Sequence, residues 1–159
     1  MAPLLILSIV TIVVRVAGLG GERSWARALR YGLAAMFTAT GAAHFVGMWD
    51  ELIAMVPPSL PEPGLLVTVT GVLELLGAAG LVWRRTTRAA AIGLGLMLIA
   101  MFPANVYAAT HGLTTEWFDH LVPRSILQIV FLAATVVVAR GHHGATPAAT
   151  VGAGLRAPR

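Results

Sequence analysis

A chain of 159 residues that is 57% hydrophobic and only 11% charged has too little polar side chain to cover a soluble domain of this size. It holds no cysteine, which excludes disulfides, thiol relays and thiolate metal sites within the chain. The formal charge is +4 and every basic residue is arginine; because the arginines stand in loops beside apolar runs, they read as topology signals facing anionic lipid rather than as a nucleic-acid footprint.

Long apolar runs separated by short charged loops predict a polytopic helical membrane protein. The first run is Pro3 to Ala17, PLLILSIVTIVVRVA. It has no basic residue at its start, and no small-x-small cleavage pattern follows, so it predicts an uncleaved helix rather than a signal peptide. At ~15–17 residues it is short for a span, and Arg15 must snorkel to the interface; a helix lying partly in the interface is the alternative. Gly18 to Arg30 is a polar link, with Arg23, Arg27 and Arg30 against Glu22 and Trp25 as an interfacial anchor. The second span is expected over about Tyr31 to Met48, with His44 near its far end. Ala35, Thr38, Gly41 and Ala42 there let a neighbouring helix approach closely.

Trp49 to Pro63 holds Asp50, Glu51 and Glu62, and Pro57, Pro58, Pro61 and Pro63 forbid a regular helix. It is expected as a stiff, extended cap over the bundle mouth. The third span, about Gly64 to Trp83, carries Glu74 near mid-depth and a packable surface of Gly71, Gly77, Ala78, Ala79 and Gly80. Arg84, Arg85 and Arg88 mark a short turn. The fourth span is about Ala89 to Thr110, where Pro103 removes one backbone bond and is expected to kink the helix just before Asn105. His111 to Arg124 is a second loop with interfacial Trp117 and Phe118. The fifth span is Ser125 to Ala139, and the tail from Arg140, rich in Ala, Gly, Thr and Pro, is expected to be disordered.

The arginines orient the chain. Nine lie in the link at 18–30, the turn at 84–88 and the tail, Arg15 makes ten, and only Arg124 falls on the other side. The positive-inside rule then puts the amino end outside and the tail in the cytoplasm. The expected architecture is all-α: a polytopic membrane four-helix bundle over residues 30–139, an extra N-terminal hydrophobic helix over 1–19, and a cytoplasmic tail over 140–159.

Four polar groups fall inside the expected spans and are expected to converge: His44, Asn105 and Gln128 in the outer half, and Glu74 a turn or two deeper at ~1.5 Å per residue. An ionised carboxylate at that depth costs at least ~2.5 kcal/mol, so Glu74 should be protonated or paired with a donor. A neutral Glu74 bonded to Asn105, Gln128 or His44 is the economical arrangement, and such an acid in a polar pocket opening outward suits proton-coupled chemistry or a quinone site. The plainer reading is that lone polar groups tie membrane helices together through interhelical hydrogen bonds; Thr40, one turn before His44, would then accept the imidazole proton.

Other signals carry less. Met97, Met101 and Asn105 recur at four-residue spacing, but a methionine stripe is ordinarily packing. A b-type haem lacks a second axial histidine at matched depth. His111 and His120, with Glu116 and Asp119 between them, match no standard metal-ligand pattern, and no metal site is assigned. No phosphate-binding glycine loop, nucleophile elbow or dinucleotide fingerprint occurs.

The segments GAAHF at 41–45, MVPPSLPEPGLLVTVTGVLELLGAAGLV at 55–82, TTRAAAIGLGLMLIAMFPANVYAA at 86–109 and RSILQIVF at 124–131 resemble the DoxX family of small bacterial membrane proteins. The resemblance covers about Arg30 to Ala139. It implies a compact four-helix bundle in a bacterial cytoplasmic (inner) membrane, associated with membrane oxidoreductases. On that basis the expected function is a redox-associated subunit with an outward-opening pocket for a quinone or other small molecule. Glu74 and His44 are its expected catalytic residues; Asn105, Gln128 and Arg124 are expected to hold the ligand. The expected partners are the bilayer and soluble or membrane redox proteins, with a homo-oligomer left open. The alternative is a non-catalytic assembly subunit whose buried polar residues fix helix packing. A solute carrier is disfavoured, because four or five helices make a narrow pore and no inverted repeat is visible.

Overall fold

The computed structural model describes residues 2–18, 24–113 and 120–141. Among these residues the chain is all-helical, with α1 (Ala2–Ala17), α2 (Trp25–Ala43), α3 (Trp49–Met55), α4 (Pro63–Val82), α5 (Thr87–Thr110) and α6 (Leu121–Gly141), and no strand. Three helices, α4, α5 and α6, are long and apolar enough to cross a membrane. α1 is apolar, but its 16 residues rise only ~24 Å against a hydrocarbon layer of ~30 Å. α2 has 19 residues and begins with Trp25, Arg27 and Arg30, so its apolar part is shorter than the helix. Residues 142–159, nearly all of the expected tail, lie outside the described residues, as do Glu22, Arg23, Glu116, Trp117, Phe118 and Asp119.

The helix ends differ from the sequence expectations for local reasons. α2 stops at Ala43 instead of running on to Met48. Gly47 takes φ +86, and the amides of Phe45 and Val46 both fold back on the Ala42 carbonyl at 3.0 and 3.1 Å, so His44 caps the helix. At its other end α2 starts at Trp25, which brings Arg27 and Arg30 out of the expected link and into the helix. The segment expected to be extended opens with α3. The prolines begin only at Pro57, beyond its end, and Asp50 and Glu51 in its first turn favour the helix dipole. Pro63 occupies the first turn of α4, where its missing amide costs nothing. α6 begins at Leu121 rather than Ser125. Pro123 is tolerated in that first turn for the same reason, and Arg124 becomes a helical residue.

α2 packs on α4, α4 on α5, α5 on α6, and α6 returns to α2, so four helices close a ring; α1 lies against α2 outside it. The core inside the ring is built from Leu33, Met36 and Phe37 of α2, Ala78 and Leu81 of α4, Leu94 of α5, and Ala134 and Val138 of α6. α1 reaches α2 at Gly32, where an added Cβ would meet the Thr11 hydroxyl and lie 2.8 Å from the Leu7 carbonyl oxygen. The outside of the ring is apolar, with Leu76, Leu96 and Ile129 each more than 60% exposed, as a lipid-facing surface requires.

The arginines separate by end. Gly141 at the end of α6 comes against Ala26 at the start of α2, and Arg15 of α1 lies over the Trp25 ring at 5.0 Å. α2 begins, and α4 and α6 end, on that side, which gathers Arg15, Arg27, Arg30, Arg84, Arg85, Arg88 and Arg140 there. Arg124 stands at the opposite end.

Candidate functional site

The polar centre of the structure is a contact between α2 and α4, which run antiparallel. Each helix carries a glycine three residues before an ionisable side chain: Gly41 and His44 in GAAH, Gly71 and Glu74 in GVLE. That spacing puts both members on one helix face. The helices exchange them. A Cβ on Gly41 would lie 3.0 Å from the Cβ of Glu74, and a Cβ on Gly71 would lie 2.6 Å from the Cβ of His44. Each ionisable side chain therefore sits in the hollow left by the partner helix's glycine, and both are 5% exposed.

The hydrogen bonds fix how the pair is held. Thr40 Oγ1 donates to Glu74 Oε2 at 2.5 Å. His44 Nδ1 lies 2.8 Å from the Val67 carbonyl oxygen, which can only accept, so Nδ1 carries the hydrogen. Thr70 Oγ1 stands 3.4 Å from the same nitrogen. His44 Nε2 then faces Glu74 Oε1 at 3.9 Å, within ion-pair range and beyond hydrogen-bond range. The two ionisable groups thus face each other without a hydrogen bond between them. An uncompensated carboxylate within a membrane costs several kcal/mol, on the order of 2.5 or more.

The other expected site residues join different helices. Arg124 Nη1 donates to Asn105 Oδ1 at 2.7 Å, linking α6 to α5. Gln128, 9% exposed, donates from Nε2 to the Leu98 carbonyl at 2.7 Å, also linking α6 to α5. The expected convergence of four polar groups thus divides into a His44–Glu74 contact on α2 and α4 and two ties between α5 and α6. Glu74 bonds to Thr40 rather than to Asn105 or Gln128, and Thr40 serves Glu74 rather than His44. Pro103 leaves the Ile99 carbonyl without an amide, but Gln128 bonds to the Leu98 carbonyl one residue earlier, whose helical partner is the amide of Phe102. α5 runs unbroken through Pro103 to Thr110. Of the weaker candidates, His111 Nδ1 lies 2.9 Å from the Tyr107 carbonyl and its ring packs on Tyr107.

A groove of about 600 Å³ opens between α4 and α5, lined by apolar residues including Leu76, Gly80, Trp83, Gly93 and Met97. Neither Glu74 nor His44 lines it. The model of a family described as a domain of unknown function (DUF8561) matches residues 33–139. The chain belongs to the DUF8561 family. No curated protein and no solved structure matches it.

Membership in DUF8561 overturns the resemblance to DoxX. The shared features were a histidine, a proline-rich loop, a glycine-flanked glutamate and a Phe-Pro-Ala-Asn segment; small helix-packing residues around a few buried polar groups recur in membrane helices of separate descent. The DUF8561 segment contains His44, Glu74, Asn105, Arg124 and Gln128, whereas α1 and the first turns of α2 precede it. Three participants in the polar contact were missed as such: the Thr40 donor, the Val67 carbonyl and the pairing of Gly41 and Gly71 with the opposite helix's ionisable group. The signal for the last was present, since G-x-x-H and G-x-x-E stand at equal spacing in neighbouring helices.

Proposed function

We propose that the protein is a non-catalytic multi-pass subunit of a bacterial cytoplasmic membrane, whose buried polar side chains fix helix packing and register. One observation carries this reading: each expected site residue is engaged with another helix of the same chain, Glu74 by Thr40, His44 by Val67, Gln128 by Leu98, and Asn105 by Arg124. Such ties specify which faces meet in a medium where apolar contact alone does not discriminate. The gathering of seven arginines at one end supports a cytoplasmic location for that end, with the tail inside and the start of α1 outside.

A second reading rests on the 3.9 Å approach of His44 Nε2 to Glu74 Oε1. Two buried ionisable side chains at that separation are suited to passing a proton to or from a quinone or similar ligand of a redox-associated subunit.

The experiment that separates them is native mass spectrometry of detergent-purified wild type and Glu74→Gln, with organic extraction of bound small molecules and thermal unfolding of both. The packing reading expects the same extracted molecules from both proteins and unfolding midpoints that nearly coincide, because the glutamine oxygen still accepts from Thr40. A quinone present in wild type and lost in Glu74→Gln overturns it in favour of the redox reading.

A further inference from the structure

The groove between α4 and α5 is separate from the His44–Glu74 contact, and its shape and charge identify an occupant. On α4 it extends from Leu73 to Trp83, and on α5 it reaches from the interhelical turn to Met97. Ten residues of helix rise ~15 Å, half of the ~30 Å hydrocarbon layer. The groove therefore runs from one membrane surface to the midplane and stops. A helix from a second copy would cross both leaflets; an acyl chain of one leaflet has the matching length.

The surface end of the groove is basic. Trp83 closes it at 66% exposure, and Arg84, Arg85 and Arg88 follow, all exposed. From Leu75 to Thr115 the sequence contains no acid, so this stretch of chain is basic throughout. The turn is also held in shape from within. Thr86 Oγ1 donates to the Gly80 carbonyl at 2.9 Å and Thr87 Oγ1 to the Leu81 carbonyl at 3.1 Å, fastening the start of α5 to the end of α4. At mid-groove, a Cβ added to Gly93 would meet nothing within 4 Å, so the missing side chain there leaves open space rather than a helix contact.

We infer that this groove binds one anionic glycerophospholipid, an acyl chain lying along Leu76, Gly80 and Gly93 and the phosphate meeting Arg85 and Arg88. Trp83 sits at the level of the glycerol backbone, where amphipathic rings belong. The inference does not depend on whether His44 and Glu74 transfer protons or only pack.

The test is native mass spectrometry of the delipidated, detergent-purified full chain titrated with phosphatidylglycerol or with phosphatidylcholine of the same acyl chains. Wild type is expected to retain phosphatidylglycerol in preference, as a 1:1 adduct. Each of Arg85→Gln and Arg88→Gln should lower that preference about fivefold, the contribution of one basic residue at an anionic surface. Gly93→Leu fills open space, so it should fold as wild type does and lose the adduct of both lipids. Equal retention of the two lipids by wild type, an unchanged preference in the Arg85→Gln/Arg88→Gln double variant, or full lipid binding by a folded Gly93→Leu would each overturn the inference. So would a lipid-free dimer that Gly93→Leu dissociates, which would assign the groove to a second copy.

Discussion

The Cβ that Gly71 lacks would stand 2.6 Å from the Cβ of His44 and 2.9 Å from its Cγ. The imidazole thus occupies space that any other residue at position 71 would claim, and the Val67 bond depends on that space. Gly71→Ala should push His44 off the Val67 carbonyl. It gains up to ~1 kcal/mol of helix propensity but incurs ~1–3 kcal/mol of overpacking, so the variant should be destabilised. Thermal unfolding in detergent, beside Gly93→Ala at the open position, checks it: Gly93→Ala should hold or raise the midpoint and Gly71→Ala should lower it.

Thr40 is the donor to Glu74, and its hydroxyl rather than its bulk is what the site uses. Thr40→Val keeps the shape and removes the donor. The expected loss is about 1 kcal/mol, between the ~0.6 average and ~1.7 maximum for side-chain hydrogen bonds within membranes. Thr40→Ser should stay near wild type. Denaturation midpoints of the two variants side by side decide the matter, and equal losses would mean that packing, not the bond, holds Thr40.

Gln128 ties α6 to α5 at the Leu98 carbonyl. Gln128→Leu removes the donor and should cost ~1 kcal/mol, read as a lower unfolding midpoint in detergent.

Asn105 gives Arg124 an acceptor at 2.7 Å near the end of the structure opposite the arginine cluster. Asn105→Leu removes the Asn105 acceptor from the charged Arg124 guanidinium, with an expected loss of ~1.5–3 kcal/mol, the range for hydrogen bonds to charged groups. Asn105→Asp keeps an oxygen there and should be tolerated. Proteolytic sensitivity and unfolding midpoint of the two variants report the difference.

The helices were largely legible in the sequence because apolar length and arginine-rich turns mark membrane segments directly; α4 and α5 begin and end within a few residues of the expected positions. The site was legible only in part. His44 and Glu74 stood out because burial makes an imidazole and a carboxyl expensive. Asn105 and Gln128 lie at a depth along the helix axis similar to that of His44, but depth leaves the rotation about that axis open. At 100° per residue, two residues at one depth can face different neighbours. α3 escaped because seven residues are too few for a helical period to declare itself beside four prolines. The family resemblance failed on the same ground: glycines, a proline and lone polar groups are what close helix packing in lipid selects, whatever the ancestry.

The exchange of glycines between α2 and α4 makes their contact a keyed joint. Shifting one helix past the other by a turn, ~5.4 Å, would lift both His44 and Glu74 out of their hollows at once and leave each facing a side chain. No intermediate register keeps one seated while the other moves, because the two keys point in opposite directions across the same interface. The α2–α4 pair therefore behaves as a fixed wall. Any widening of the α4–α5 groove to admit or release an occupant is a displacement of α5, carried with α6, against that wall.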